Sequence, residues 1–231
     1  MSANVADDPP TGAARHVAII ADGNGRWARA RGLSASEGYN AGADTLKARL
    51  RDAVELGIEQ LTVYSFSTEN WSRPAEEVAG LMEMFARRIA SETPELHAEG
   101  VRMRFIGRRD GVSEDLVQRM EWAESLTDAN ERITLFVAFN YGGRAEILDA
   151  ARAFQGGTES DFRRLLYAPE MHDPDLIIRT SGERRLSNYL LWQSAYSELI
   201  FREELWPDFT RAALEESLAE FSERRRRFGG R

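Results

Sequence analysis

The chain has 231 residues, 42% apolar and 29% charged, with a formal net charge of −8, a sequence pI of about 5.1 and no cysteine. That length suits one domain with a full core, and the acidity leaves no global positive field to recruit nucleic acid. The absence of thiols, with only three scattered histidines, excludes a disulfide framework and a zinc site.

Residues Met1–Arg15 carry Asp7-Asp8-Pro9-Pro10 and no apolar run, which predicts a disordered tail (1–15) ahead of a single domain over 16–231. No stretch of about 18 apolar residues occurs, so the expected location is cytoplasmic, with contact at a membrane surface compatible and a spanning helix not. His16–Ala21 reads as a strand. It runs into Asp22-Gly23-Asn24-Gly25-Arg26-Trp27, a loop with one carboxylate, two glycines and an arginine. Asp44–Leu56 reads as a helix ending at Gly57, and Gln60–Phe66 as the next strand. A loop follows it, Ser65-Phe66-Ser67-Thr68-Glu69-Asn70-Trp71-Ser72-Arg73. Pro74–Ser91 places Val78, Leu81, Met82, Phe85 and Ile89 on one stripe, with Pro74 and Glu76-Glu77 suited to a helix start. Further strands are expected at Val101–Ile106, Ile133–Phe139, Asp175–Arg179 and Glu198–Phe201, and a last helix from about Asp208. Apolar strands alternating with amphipathic helices predict an α/β domain with a mostly parallel central sheet flanked by helices.

In such folds ligands bind at the carboxyl edge of the sheet, where strand-to-helix loops gather. Glycines that admit an anion, with Arg26 as a charged fork, make the first loop a candidate phosphate cradle. Taken alone, it is equally a tight glycine turn with a surface arginine. The segment Arg179-Thr180-Ser181-Gly182-Glu183-Arg184-Arg185-Leu186-Ser187-Asn188 gathers three arginines and several hydroxyls at another strand end. A solvated loop of ion pairs has the same composition. Their conjunction, with Asp22 able to hold a hard cation, suits two phosphorylated substrates sharing one Mg²⁺. No Ser-His-Asp set, P-loop or GxGxxG occurs.

The segments HVAIIADGNGRWA, LTVYSFSTENWSRP, NYGGRAEI, PDLIIRTSGERRLSNYLLWQSAYSELIF, LWPDF and RRFGG, in this order, resemble the undecaprenyl diphosphate synthase (isoprenyl transferase) family of cis-prenyltransferases. The resemblance covers His16 to the carboxyl terminus. It implies a homodimeric transferase that condenses isopentenyl diphosphate with an allylic diphosphate primer such as farnesyl diphosphate, and an apolar tunnel for the growing Z-polyprenyl chain. It implies that Asp22 binds Mg²⁺ and acts in catalysis with Asn70, and that Gly23, Asn24, Gly25, Arg26 and Trp27 form the primer-diphosphate loop. Arg179, Arg185 and Ser187 would grip isopentenyl diphosphate, and Glu198 would help position the metal. Ser67, Glu69, Asn70, Trp71 and Arg73 match the segment covering the reacting centre, and Arg227 and Gly229 a tail motif that reaches the partner subunit. Tyr39 stands among the substrate-binding positions where the family usually has histidine, and Ala35 where some members have arginine. The stripe Leu81, Met82, Phe85 and Ile89 would line the tunnel, with Ser65, Ile133 and Phe139 near its walls. The length of Leu81–Val101 favours a medium product such as undecaprenyl diphosphate. Phe139 and the short Gln155–Pro174 segment leave a shorter or irregular product as the alternative, ahead of a non-catalytic subunit.

Overall fold

The computed structural model describes residues 13–224. Six strands form one parallel sheet: β1 (His16–Ile20), β2 (Gln60–Ser67), β3 (Val101–Ile106), β4 (Ile133–Tyr141), β5 (Leu176–Arg179) and β6 (Glu198–Phe201). Their spatial order is β3-β4-β2-β1-β5-β6. Every strand predicted from an apolar run is present, because side chains on both faces of a covered parallel sheet are apolar. Along β1, Val17 and Ile19 enter one core layer while Ala18 and Ile20 enter the other.

Seven helices are described: α1 (Asn24–Ala30), α2 (Ala35–Glu55), α3 (Ala75–Ala98), α4 (Glu114–Thr127), α5 (Gly143–Ala153), α6 (Glu159–Arg163) and α7 (Arg211–Glu223). Residues of α2, α3, α4 and α7 share the larger layer with Val17, Ile19, Leu61 and Val63. The opposite face packs Phe136, Ala138 and Tyr141 against Met171, Tyr189 and Leu190. Among the described residues no helix is long and apolar enough to cross a membrane.

Three boundaries depart from the sequence reading. The helix expected at Asp44 begins at Ala35, where Ser34 and Glu37 form a reciprocal capping box. Gly38 and Gly42 are where α2 touches α1: a Cβ on Gly38 would stand 2.4 Å from the Asn24 carbonyl oxygen. Helix α3 runs through Pro94 to Ala98 rather than stopping at Ser91. At the start of the fold, Ala14 is buried. The Arg15 backbone N–H donates to the Asp175 carboxylate at 2.8 Å, so packing reaches into the stretch read as tail.

Chain order reverses across β1, whose neighbours are β2 and β5. The carboxyl end of β1 is therefore a topological switch point, where the crossovers part and leave a crevice.

Candidate functional site

Asp22 stands at that crevice. The turn that carries it is short, because α1 already begins at Asn24, so Asn24, Gly25, Arg26 and Trp27 lie on a helix rather than a loop. Gly23 makes the turn with φ of 111°, and a Cβ there would meet Leu205 Cδ2 at 2.9 Å. The Asp22 carbonyl accepts from Trp206 N–H at 2.9 Å and from the Thr180 hydroxyl at 2.7 Å. With the backbone pinned, the carboxylate lies between two arginines: Oδ2 accepts from Arg179 Nη2 at 2.9 Å and Oδ1 from Arg26 Nη2 at 3.2 Å. Burial pushes this carboxyl up, but the hydrogen bond and charge of Arg179, with Arg26 and Ser181, hold it below the usual carboxylate range.

Arg179, at the end of β5, is buried. Its Nη1 donates to Ser187 Oγ at 2.6 Å and to the Arg185 carbonyl at 2.5 Å, while its Nε has no partner. The β5 loop is thus wrapped around its own guanidinium. The wrapping holds Ser181, Ser187 and Asn188 at φ of 77°, 49° and 64°, a region that costs non-glycine residues free energy. Arg185 itself is exposed at its side chain and paired with Glu183. Arg26 closes the gap between the two loops by donating to the Ser181 hydroxyl and carbonyl.

The segment after β2 is a 3₁₀ turn, Thr68–Ser72, in which Asn70 Oδ1 accepts the Ser67 N–H at 2.9 Å. Trp71 donates its indole N–H to Asn140 Oδ1 at 2.7 Å and packs edge-on to Phe66. Glu69 accepts from Asn188 Nδ2 at 2.9 Å. Arg73 donates to Glu77 at 2.9 Å and to the Tyr39 hydroxyl. Tyr39 in turn donates to Glu77 at 2.6 Å. Burial, then the Glu77 bond, push the Tyr39 phenol up to about 12, against the opposing pull of Arg73.

Beneath these loops lies an apolar channel. Asn24, Tyr39, Gly42, Tyr64, Leu81 and Trp206 line its upper part. Ala43, Leu46, Ser65, Met84 and Phe85 belong both to that part and to the deeper cavity, which ends at Leu96, Met103, Phe105 and Leu135. The deeper space, out to solvent, is about 600 Å³. Of the expected lining, Leu81, Phe85, Ile89 and Ser65 are present; Met82 is not among the lining residues, and Met84, two residues further along α3, is. Ile133 is not in the lining, and Phe139 stands behind Phe85, ring edge to face at 4.8 Å.

The structure joins Asp22, Arg26, Arg179 and Ser187 in one hydrogen-bonded cluster, and Asn24 and Tyr39 line the upper part of the channel, where Ala21, next to Asp22 in the chain, also lies. It does not bring Trp27 there: its indole donates to Asp208 at 2.8 Å and Arg31 covers its ring. Nor does it bring Glu198 to Asp22. Glu198 pairs in register with Leu176 at the amino end of β5 and β6, three residues or on the order of 10 Å from the carboxyl edge, and its carboxylate binds Arg224 at 2.9 Å. Within one subunit the two acids cannot share an ion, and no group of three metal-ligating side chains occurs among the described residues. Arg227 and Gly229 lie outside the described residues. Sequence reasoning missed Glu77, which reads as a helix-start acid, and Tyr64, which reads as one strand residue among many.

A site with an ionised carboxylate between two cations above an apolar channel fits an amphiphile with an anionic head and a hydrocarbon tail. Comparison with known proteins agrees. Residues 20–229 match the prenyltransferase family model described as "Putative undecaprenyl diphosphate synthase". The chain is 51% identical to an isoprenyl transferase of Thermotoga maritima, over 94% of this chain and 97% of that protein. It is 46% identical to a trans,polycis-polyprenyl diphosphate synthase of Thermobifida fusca named as (2Z,6E)-farnesyl diphosphate specific, over 94% and 80% of the two chains. The crystal structure of lavandulyl diphosphate synthase from Lavandula x intermedia with dimethylallyl diphosphate superposes with a TM-score of 0.90 at 34% identity, covering 94% of this chain and 98% of that one.

Proposed function

Because the chain belongs to the undecaprenyl diphosphate synthase family and is therefore an isoprenyl transferase, we propose that it elongates an allylic primer with isopentenyl diphosphate to a Z-polyprenyl diphosphate. The observation that carries the reading is Asp22, held ionised between Arg26 and Arg179 and flanked in the chain by Ala21 and Asn24, which line the upper part of an apolar channel. Asn24 and Arg26 would bind the primer diphosphate, and the channel would take its tail and exclude water. Arg179, Arg185 and Ser187 would grip isopentenyl diphosphate on the other side of Asp22. In the reaction the primer's C1–O bond breaks and diphosphate leaves. C1 bonds to the terminal alkene carbon of isopentenyl diphosphate, and a proton is lost from the adjacent methylene. Fixed guanidinium groups stabilise charge on the leaving group without reorganising.

A single carboxylate, with side-chain exposure of 30%, fits Mg²⁺ in its usual manner at phosphate sites, with one or two protein carboxylates and the remaining oxygens from substrate and water. The longer Arg26 bond marks Oδ1 as the oxygen more easily released. When bound, the ion would neutralise the departing diphosphate. The reading includes a homodimer, a cytoplasmic address with peripheral lipid contact, and no nucleic acid. A farnesyl-type primer is supported by the name of the Thermobifida relative.

The test is incubation with labelled isopentenyl diphosphate, Mg²⁺ and allylic primers of several lengths, followed by chromatography of the dephosphorylated products. A ladder of added isoprene units supports elongation. A second reading, irregular joining of two short prenyl diphosphates, is favoured by the fit to lavandulyl diphosphate synthase. It predicts product from dimethylallyl diphosphate alone.

A further inference from the structure

Three segments at the carboxyl edge, the β5 loop, the 3₁₀ turn after β2 and the start of α5, meet on one side chain that none of the roles above uses. Asn188 follows Ser187 in the β5 loop. Its Nδ2 donates to Glu69 Oε1 in the β2 loop at 2.9 Å, and its Oδ1 accepts the Arg144 N–H at the start of α5 at 2.9 Å. Its carbonyl accepts the Gly143 N–H at 2.7 Å. The junction is tight: a Cβ on Gly142 would stand 2.7 Å from Thr68 Oγ1 and 2.8 Å from Asn188 Nδ2. Asn188 makes these bonds from a left-handed backbone, φ 64°, directly after Ser187 at φ 49°. Asparagine tolerates that region better than most residues and can reach both partners from it. The Asn188 bond is also the leading influence that holds Glu69 below the usual carboxylate range against its burial.

We propose that Asn188 is a positioning residue that ties the segment Thr68–Arg73 to the β5 loop, so that the geometry of Ser187 and Arg185 for isopentenyl diphosphate depends on the Glu69 contact. This rests on the function proposed above. Cutting the knot loosens the isopentenyl diphosphate side and leaves the primer side, built on α1 and α2, in place.

Glycine adopts the left-handed backbone without a Cβ, so Asn188→Gly removes the two side-chain bonds and keeps the turn. Loss of a hydrogen bond to a charged group raises the KM for isopentenyl diphosphate on the order of tenfold, with primer KM changed much less. Asn188→Asp sets a second carboxylate against Glu69 and is impaired further. Glu69→Gln added to Asn188→Asp recovers much of that loss, because the introduced amide donates where the asparagine did. A purely structural role predicts lower melting temperatures, equal changes in both KM values and no rescue. Each KM is measured with labelled isopentenyl diphosphate at saturating primer, or the converse. Incorporation by the unaltered enzyme with no selective KM change, or with no rescue, overturns the inference alone. No incorporation by the unaltered enzyme overturns the proposed function, and the inference with it.

Discussion

Replacing Arg179 by methionine tests whether the paired carboxylate is built as described. The Arg179 side chain is 5% exposed and makes hydrogen bonds to Asp22, Ser187 and the Arg185 carbonyl. Breaking a fully buried charge pair costs about 3–5 kcal/mol. Asp22 keeps some contact with water and Arg26 stays beside it, and the variant no longer buries a guanidinium whose Nε lacks a partner. The expected loss at neutral pH is therefore smaller, about 2–3 kcal/mol, measured by urea unfolding. The pH dependence carries a definite sign. The folded-state pKa of Asp22 lies below its ordinary value of 3.8, so its pairing stabilises above about that pH and is lost as pH falls through the lower folded value. In Arg179→Met, burial pushes the carboxyl up with less to oppose it. The gap between the two proteins should be widest at neutral pH and narrow as pH falls below about 4. A gap of less than about 1 kcal/mol, or one constant with pH, would refute the assignment of the pair.

The Gly42→Ala substitution sets a methyl group 2.3 Å from Asn24 Oδ1, so the usual helix gain of up to about 1 kcal/mol turns into a net loss of about 1–2 kcal/mol from overpacking; an unchanged or raised melting temperature would contradict that close approach. Arg185→Ala removes an exposed side chain paired with Glu183, so stability should change by less than about 0.5 kcal/mol while the KM for isopentenyl diphosphate rises at least about tenfold. A selective rise in primer KM would mean that the two diphosphate sites are exchanged. Tyr39→Phe deletes the bonds to Glu77 and Arg73 and should weaken the primer several-fold by KM. Since the Tyr39 phenol is pushed up to about 12, the ratio of the two enzymes' kcat/KM should be flat from about pH 6 to 9, and a step within that range would show that Tyr39 ionises there.

The sheet was legible because its strands are apolar on both faces, as in HVAII and LIIR, and the wide channel helix because its stripe repeats at helical spacing. The start of α2 was not, since two glycines within five residues look like a loop until α1 is laid against them. For the same reason the segment from Asn24 to Trp27 read as a phosphate loop when only Asp22 and Gly23 are outside helix. Asp22, Arg26 and Arg179 could be picked out as charges at strand ends, but their pairing joins residues 157 positions apart and no local pattern encodes it. Glu198 shows the opposite failure. Its sequence setting suggests a metal ligand, and parallel register places it at the wrong end of its strand for Asp22 of the same chain. Asn188 passed as a loop amide because its partners, Glu69 in the 3₁₀ turn after β2 and Arg144 at the start of α5, come from distant parts of the chain.

The central claim is that one carboxylate, Asp22, makes the cationic mouth of an apolar channel into a site of prenyl transfer. It is tested most directly by the initial rate of labelled isopentenyl diphosphate incorporation onto farnesyl diphosphate in Mg²⁺, compared between the unaltered enzyme and Asp22→Ala. The backbone bonds to Thr180 and Trp206 that fix this turn do not involve the Asp22 side chain, so the variant should still fold and show a cooperative melt. Its rate should fall at least about a hundredfold, and the unaltered enzyme should lose its activity in excess chelator. A folded Asp22→Ala enzyme at the unaltered rate, or full activity in chelator, would contradict the account.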